Sequence, residues 1–455
     1  MKKYFFCGIG GSGMEPLAFV LKAKGCEISG SDRAFDAGTS PDKFAKIAAQ
    51  GITLFPQDGS GLTEDTTALV ISGAVEESVP DVVAARALNL PVITRAELLA
   101  EFFGLHNGIA VGGTSGKTTT TAMLGHILKV AGIDPTVING GKMLNYPSFP
   151  GDGSVLTGEG SFCVIEADES DGSIELYTPE VAVVTSISLD HKPLEELREL
   201  FGNFVCRATV GAVLNADNAD CLALRDGNAN VLTFSVDGND ADLKAENIRP
   251  ISNGTIFALD GEDISLPVIG KHNVANALAA LAAAEMIGVL RSQAIEALKT
   301  FRGVHRRLET VGTTKKNVTV IDDFAHNPEK IAASLSALKE YPGRLIVVYQ
   351  PHGFKPTKML REGLVEAFDK HLEMDDTLIM PEIYYAGGTA AKDISAADLV
   401  KDLEKKGKRV HFIPDRRKIL HLIKALSNKD DRIVVMGARD ETLSDFAKQI
   451  YESLS

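Results

Sequence analysis

The sequence predicts an α/β protein of three consecutive α/β domains: a Rossmann-like N-terminal domain, a P-loop ATPase-like central domain and a Rossmann-like C-terminal domain. Three observations lead there. Short apolar runs alternate with helical stretches, the pattern of parallel sheets with crossover helices. A glycine-rich turn follows an apolar run twice, in YFFCGIGGSGM (4–14) and in GIAVGGTSGKTTTT (108–121). At 455 residues the chain is too long for one ordinary core. The expected domains are residues 1–106, 107–310 and 311–455.

In the first domain YFFCGI, EISGSD, TALVISGA and PVITR read as strands. MEPLAFVLKAKG, stopped by Gly25, KFAKIAAQG and VPDVVAARALN read as helices between them. The second domain starts at GIAVGG (108–113), and FCVIEAD (162–168), VAVVTSI (181–187) and GAVLNADN (211–218) continue its sheet. Residues 233–267 are turn-rich (TFSVDG, TIFALDG, ISLPV), so an antiparallel annex is expected there. NVANALAALAAAEMIGV (273–289) is a strong Ala/Leu helix. The third domain alternates again, from VTVIDDFA, EKIAASLSALKEY and RLIVVYQP through DTLIMPEI to RIVVMGA and a closing helix.

Bulk properties exclude several function classes. A net charge of −14 argues against a nucleic-acid partner held on a basic face. Local cations and backbone N–H groups can still hold phosphate. No uninterrupted apolar run of membrane-spanning length occurs, so no membrane partner is expected. The start, MKKYFFCGIG, resembles a signal peptide, but Gly8, Gly10, Gly11, Gly13 and Glu15 break it after a few residues. Five cysteines without a CxxC pair read as reduced thiols of a cytoplasmic protein. The sequence leaves the oligomeric state open.

Gly8-x-Gly10-Gly11-x-Gly13 fits GxGxxG between a strand and a helix, and Asp32 ends the next strand, where dinucleotide folds place an acidic ribose ligand. This loop reads as a diphosphate site, either for NAD or for another pyrophosphate-bearing molecule. The second loop departs from GxxxxGK[ST] only at Val111, in place of the first glycine. Lys117 supplies charge for the β- and γ-phosphates and Thr118 a hydroxyl for Mg²⁺, so the loop reads as an ATP site. Glu166, Asp168, Glu169 and Asp171 follow one apolar strand and Asp190-His191 another. Both groups reach the carboxyl edge of the sheet, where they can complete the coordination of a divalent ion. The His272-Asn273-Val-Ala-Asn276 run can cap its helix, and the Arg306-Arg307 pair can make surface salt bridges. Asp322-Asp323-Phe-Ala-His326-Asn327-Pro328 combines acids, a histidine and a helix-starting proline.

Taken together, GTSGKTTTT, EADESDGS, LDHKP, GKHNVANALAA, FRGVHRRLE and DDFAHNPEKI resemble, in order and spacing, the motifs of the Mur ligases. CGIGGSGMEPLA, SGSD at 29–32, ISGAVEES at 71–78 and TRAELLAEFF at 94–103 narrow the resemblance. They are similar to the branch that joins UDP-N-acetylmuramate to L-alanine or to a recycled muropeptide. The resemblance implies an ATP-dependent amide-bond-forming ligase of peptidoglycan synthesis with ATP and Mg²⁺, two ions, as cofactors. Its substrates would be small molecules: a UDP-sugar, ATP and an amino acid, L-alanine foremost, or a short peptide.

Carried over by motif, Gly113, Thr114, Ser115, Gly116, Lys117, Thr118 and Thr119 would hold ATP. Thr118, Glu166 and His191 would serve the metal. His272 and Asn276 would face the adenine side, while Arg307 and Asp323 would reach the nucleotide. Lys117, Glu166, His191, Arg307 and His326 are the implied catalytic set. Gly10, Gly11, Ser12 and Gly13 would meet the UDP diphosphate, with Asp32 and Ser72 near the uridine. Several positions depart from the branch pattern. Ser115 replaces the histidine of GTHGKTTT, and QPHGFKPTK at 350–358 lacks the arginines of QPHRYxRT. KPLEELRELF replaces the pattern usual after His191, and GARDETLSDFA differs from GAGDI, whereas Cys206, standing where some other branches carry a modified lysine, agrees with the alanine-ligase side. These departures touch the acceptor more than the activation step. A nicotinamide oxidoreductase or a non-ligating nucleotide-binding relative are the competing classes.

Overall fold

The computed structural model describes residues 1–189, 192–251, 254–385 and 391–455. The first sheet contains β1 (Lys3–Cys7), β2 (Glu27–Ser31), β3 (Thr53–Phe55), β4 (Ala68–Ile71) and β5 (Val92–Thr94), ordered β3-β2-β1-β4-β5 with every pair parallel. Phe5, Phe6 and Cys7 of β1 are fully buried, as expected of a parallel strand covered on both faces. The order reverses between β1 and β4. That switch point opens a crevice at the carboxyl ends, and the 8–13 loop leaves β1 there.

The second sheet runs through β6 (Asn107–Gly112), β7 (Thr136–Ile138), β8 (Val155–Thr157), β9 (Phe162–Glu166), β10 (Val181–Val184), β11 (Gly211–Asn215), β12 (Val231–Ser235) and β13 (Leu243–Lys244). Its order is β13-β12-β11-β10-β6-β9-β7-β8, and only β7 and β8 pair antiparallel. Because β6 lies between β10 and β9, the loop after it is flanked by the ends of both neighbours. The turn-rich annex begins later than the sequence suggests. Thr233–Ser235 belong to β12, which pairs parallel with β11 and extends the main sheet. Three further strands, β14 (Glu246–Ile251), β15 (Gly254–Leu259) and β16 (Glu262–Leu266), form a separate small sheet.

The last sheet comprises β17 (Glu309–Thr313), β18 (Thr319–Asp323), β19 (Leu345–Gln350), β20 (Thr377–Met380), β21 (Val410–Phe412) and β22 (Arg432–Gly437). Its order is β17-β18-β22-β19-β20-β21, with β17 as an antiparallel edge. The chain divides into two compact units. One holds residues 1–247, 257–266 and 273–304; the other holds 248–256, 267–272 and 305–455. Within the first unit a continuous apolar core joins Phe6 and Phe19 of the first sheet region to Phe103, Phe201 and Phe204 of the second. The five cysteines are all unpaired. Among the described residues, no helix is long and apolar enough to cross a membrane.

Candidate active site

The second glycine loop is shaped by the strand end beside it. Thr114 N–H donates to the Ser186 carbonyl at 2.9 Å, and Ser115 N–H to Ser186 Oγ at 3.0 Å. Thr185 Oγ1 donates to the Ser115 carbonyl at 2.5 Å. Gly116 sits at φ +90°, and a Cβ there would lie 2.6 Å from Asn276 Oδ1. Only glycine fits, because the left-handed backbone and the close approach coincide. Asn276 is buried against the loop with its amide already engaged: Oδ1 accepts from Thr120 Oγ1 at 3.2 Å and Nδ2 donates to Asn273 Oδ1 at 3.1 Å. The helix Lys117–Val130 then starts directly on the loop with Lys117, Thr118 and Thr119 in its first turn. A loop whose helix begins this way presents N–H groups and a positive dipole end to phosphate.

Two carboxylates from the end of β9 meet this turn. Lys117 Nζ donates at 2.7 Å to both the Gly113 carbonyl and Glu169 Oε2, and the Glu169 side chain is only 4% exposed. Thr118 Oγ1 donates to Glu166 Oε2 at 3.0 Å, while Glu166 Oε1 accepts from Gly140 N–H. Asp168 is drawn up by burial but held lower, on balance, by the Ser170 N–H and hydroxyl and by the Lys117 charge. A Thr hydroxyl beside a Glu carboxylate is a hard-oxygen donor pair suited to Mg²⁺. The chemistry of Thr118 and Glu166 therefore fits the ion that a triphosphate brings. His191, the third implied ligand, lies outside the described residues. Among the described residues, the closely gathered sets of potential ligands are His305–Glu309–Asp322 and Glu373–Asp375–Asp376. Neither contains a residue read from the sequence as a metal ligand, and Asp322 of the first is occupied by Arg306.

The first glycine loop leaves β1 through Gly8, whose N–H donates to the Ser31 carbonyl at 2.8 Å. Asp32 Oδ2 accepts from Gly10 N–H at 2.9 Å, and Oδ1 caps the short helix Arg33–Asp36 through Ala34 N–H at 2.8 Å. The carboxylate thus braces the loop from below. Ser12 and Gly13 are exposed at the loop tip, and Ser72 is half-buried just past β4, the strand across the switch point. Lys43 Nζ donates to the Gly10 carbonyl at 2.5 Å and pairs with Glu15 at 3.2 Å.

In the other unit the two arginines at 306 and 307 part company. Arg306, at φ +56°, is buried: Nε donates to Asp322 Oδ1 at 3.2 Å and Nη2 to the Gly437 carbonyl. Arg307 stacks on the Phe324 ring, 5.4 Å from its centroid, and its guanidinium has no hydrogen-bond partner among the described residues. Asp323 is buried with Oδ1 on Leu308 N–H (3.2 Å) and Oδ2 on Ser334 Oγ (2.6 Å), and burial raises its pKa. It fixes the turn that carries Arg307. His326 Nδ1 lies 2.9 Å from the Phe324 carbonyl, so Nδ1 carries the proton and Nε2 the lone pair. Burial lowers this imidazole to about 4, and the ring packs edge-to-face on His352 with centroids 5.5 Å apart. His272 is exposed at the start of its helix.

Fold and site define a nucleotide-binding α/β enzyme built for phosphoryl chemistry. Three family descriptions match nearly end to end: "Mur ligase family, catalytic domain" over 3–106, "Mur ligase middle domain" over 111–284, and "Mur ligase, glutamate ligase domain" over 306–439. A UDP-N-acetylmuramate–L-alanine ligase of Acidithiobacillus ferrooxidans is 38% identical over 91% of this chain and 90% of its own. The crystal structure of the UDP-N-acetylmuramate–alanine ligase of Thermotoga maritima superposes with a TM-score of 0.80 at 26% identity, covering 99% of both chains. A murein peptide ligase of Psychrobacter arcticus shares the fold, with a TM-score of 0.67 at 23% identity over 100% of this chain and 99% of its own. The chain belongs to the Mur ligase family. It is an ATP-dependent ligase.

Sequence reasoning singled out Glu169 without giving it a partner, and it missed Thr185, Ser186 and Arg95. The signal was present only as polar residues at strand ends, where every member of the sheet-edge set is a candidate.

Proposed function

We propose that the protein joins the carboxylate of UDP-N-acetylmuramate to the amino group of L-alanine, with ATP converted to ADP and phosphate. The observation that carries this reading is the gathering of Lys117 and the Thr118–Glu166 oxygen pair where β9 ends beside the ATP loop, in a chain 38% identical to a UDP-N-acetylmuramate–L-alanine ligase. A carboxylate does not acylate an amine in water, because an oxide is too poor a leaving group. Transfer of the γ-phosphoryl group to the carboxylate gives an acyl phosphate, the amine adds to its carbonyl, and phosphate departs.

The first loop, Gly10 to Gly13, holds the diphosphate of the UDP-sugar, with Asp32 bracing it and Ser72 on the uridine side. The second loop, Gly113 to Thr119, holds ATP. Lys117 neutralises the β- and γ-phosphates as two anions are brought together. Thr118, Glu166 and His191 would serve the Mg²⁺ sites, two ions in all, which would supply further charge neutralisation on the transferring group. Arg307, stacked on Phe324 and without a hydrogen-bond partner among the described residues, would offer a second cation to the phosphates, its turn held by Asp323 through Leu308. His326 presents a neutral Nε2 lone pair that can accept a hydrogen bond from the incoming amine near the reacting centre. Asn276, bonded to Thr120 of the ATP loop's helix, and His272 would serve the adenine side. The nucleotide substrates place the reaction in the cytoplasm.

Phosphate release measured with UDP-N-acetylmuramate, ATP and Mg²⁺ over single amino acids and a muropeptide-type tripeptide tests the assignment. Release with L-alanine is expected. Release with the tripeptide alone moves the acceptor to the recycling type, and release with none removes the peptidoglycan assignment.

A further inference from the structure

One turn after β9 reaches both glycine loops through a cation, the second through Lys117 and the first through Arg95. Glu169 holds Lys117 of the ATP loop, and two residues on, Asp171 Oδ2 accepts from Arg95 Nη2 at 3.2 Å. Arg95 opens the helix Arg95–Phe103 directly after β5, where the Thr94–Glu97 capping box fixes the direction in which the chain enters the helix. Its side chain lies on the first loop. A Cβ at Gly13 would stand 3.0 Å from Arg95 Cδ and 3.3 Å from Nε, so glycine at 13 is what lets the guanidinium stem lie flat on the loop backbone.

This loop is short of charge and of donors without it. Gly10 N–H is taken by Asp32 and Gly11 N–H by the Gly8 carbonyl. Lys43 is spent on the Gly10 carbonyl and Glu15. Arg33 is turned to Gln57, with Nε donating at 3.2 Å. A diphosphate placed here would meet the exposed N–H groups at Ser12 and Gly13 but needs a cation. Arg95, 23% exposed, is the cation that lies on the loop among the described residues.

We propose that Arg95 is the diphosphate-binding cation of the UDP-sugar site, and that Asp171 holds its guanidinium ready and gives it up when phosphate arrives. The inference rests on the reading that the 8–13 loop holds UDP. Asp171 stays ordered after the exchange, because its Oδ1 accepts from Ser173 N–H at 2.9 Å independently of Arg95. A planar guanidinium suits this exchange, since carboxylate and phosphate present the same pair of acceptor oxygens. The turn carrying Glu169 and Asp171 then occupies both phosphate-seeking cations of the unit before the substrates bind.

Calorimetric titration of the full-length protein with UDP and with uridine, on wild type, Arg95→Ala and Asp171→Asn, tests it. Wild type should bind UDP more tightly than uridine. Arg95→Ala should lose about 10- to 100-fold in UDP affinity with uridine affinity unchanged. Asp171→Asn should bind UDP several-fold more tightly, because it removes the competing carboxylate; a merely structural ion pair predicts the opposite sign. The proposal is overturned if Arg95→Ala binds UDP like wild type, if it loses UDP and uridine equally, or if Asp171→Asn fails to bind UDP more tightly. If wild type binds UDP no better than uridine, the reading of the loop fails instead.

Discussion

Lys117 and Glu169 form a largely buried ion pair of 2.7 Å at the ATP loop, with the lysine also held on the Gly113 carbonyl. The cation that a triphosphate needs is therefore neutralised and oriented before ATP binds. Binding must exchange a carboxylate for phosphate, which keeps the lysine from ever being desolvated without a partner.

Lys117→Ala is expected to abolish turnover while UDP binding persists. It also leaves Glu169 buried without its cation, at a cost of about 1–3 kcal/mol in unfolding free energy. The double variant Lys117→Ala/Glu169→Gln should recover that stability and remain inactive. Urea unfolding and a phosphate-release assay on the two variants separate these effects.

Thr118→Val removes the hydroxyl that donates to Glu166 Oε2. The Mg²⁺ concentration for half-maximal phosphate release should rise several-fold, with UDP binding unaltered. A Mg²⁺ titration that superposes on wild type would remove Thr118 from the metal's donors. Stripping the ion with EDTA should stop phosphate release, and Mg²⁺ should restore it.

Arg306 and Arg307 should fail in different ways. Arg306→Ala leaves Asp322 buried without its ion-pair partner and should cost about 3–5 kcal/mol of stability. Arg307→Ala removes a stacked side chain whose guanidinium forms no hydrogen bond among the described residues, so unfolding should change little while kcat/KM falls at least tenfold. Thermal unfolding and steady-state kinetics on both variants distinguish a structural cation from a functional one.

The neutral state of His326 has a sign that can be measured. Its imidazole sits at about 4 in the folded protein against 6.5 for the ordinary side chain. Between those values the unfolded chain binds the extra proton, so stability rises with pH there and is lost as pH falls from 6.5 towards 4. At the low end the loss attributable to this group is about 3 kcal/mol. His352 is shifted in the same direction by burial, so the comparison of wild type with His326→Asn isolates the term. The variant should show a flatter stability profile in this window and an unchanged one above pH 7.

Both glycine loops were legible in the sequence, because a strand, a glycine turn and a helix start are local features. So was the three-sheet α/β alternation. What the loops touch was not legible. Lys117 meets a carboxylate 52 positions away because β6 and β9 are neighbours in one sheet, and Arg95 meets one 76 away because the first and second sheet regions pack on a common core. Asp32 illustrates the limit in another way: its position at the end of β2 could be read, but not that its oxygens brace Gly10 and Ala34. Thr233–Ser235 were misread as an annex because a turn-rich flank gives no information about which neighbour a strand will pair with.

The central claim, activation of the sugar's carboxylate by phosphoryl transfer, is tested most directly by an isotope. UDP-N-acetylmuramate labelled with ¹⁸O in its carboxylate is turned over with ATP, Mg²⁺ and L-alanine, and the released phosphate is analysed by mass spectrometry. Passage through an acyl phosphate predicts one ¹⁸O in each phosphate and one left in the new amide carbonyl. Phosphate that carries no label would contradict the account, because its fourth oxygen would then have come from water and the carboxylate would never have been phosphorylated.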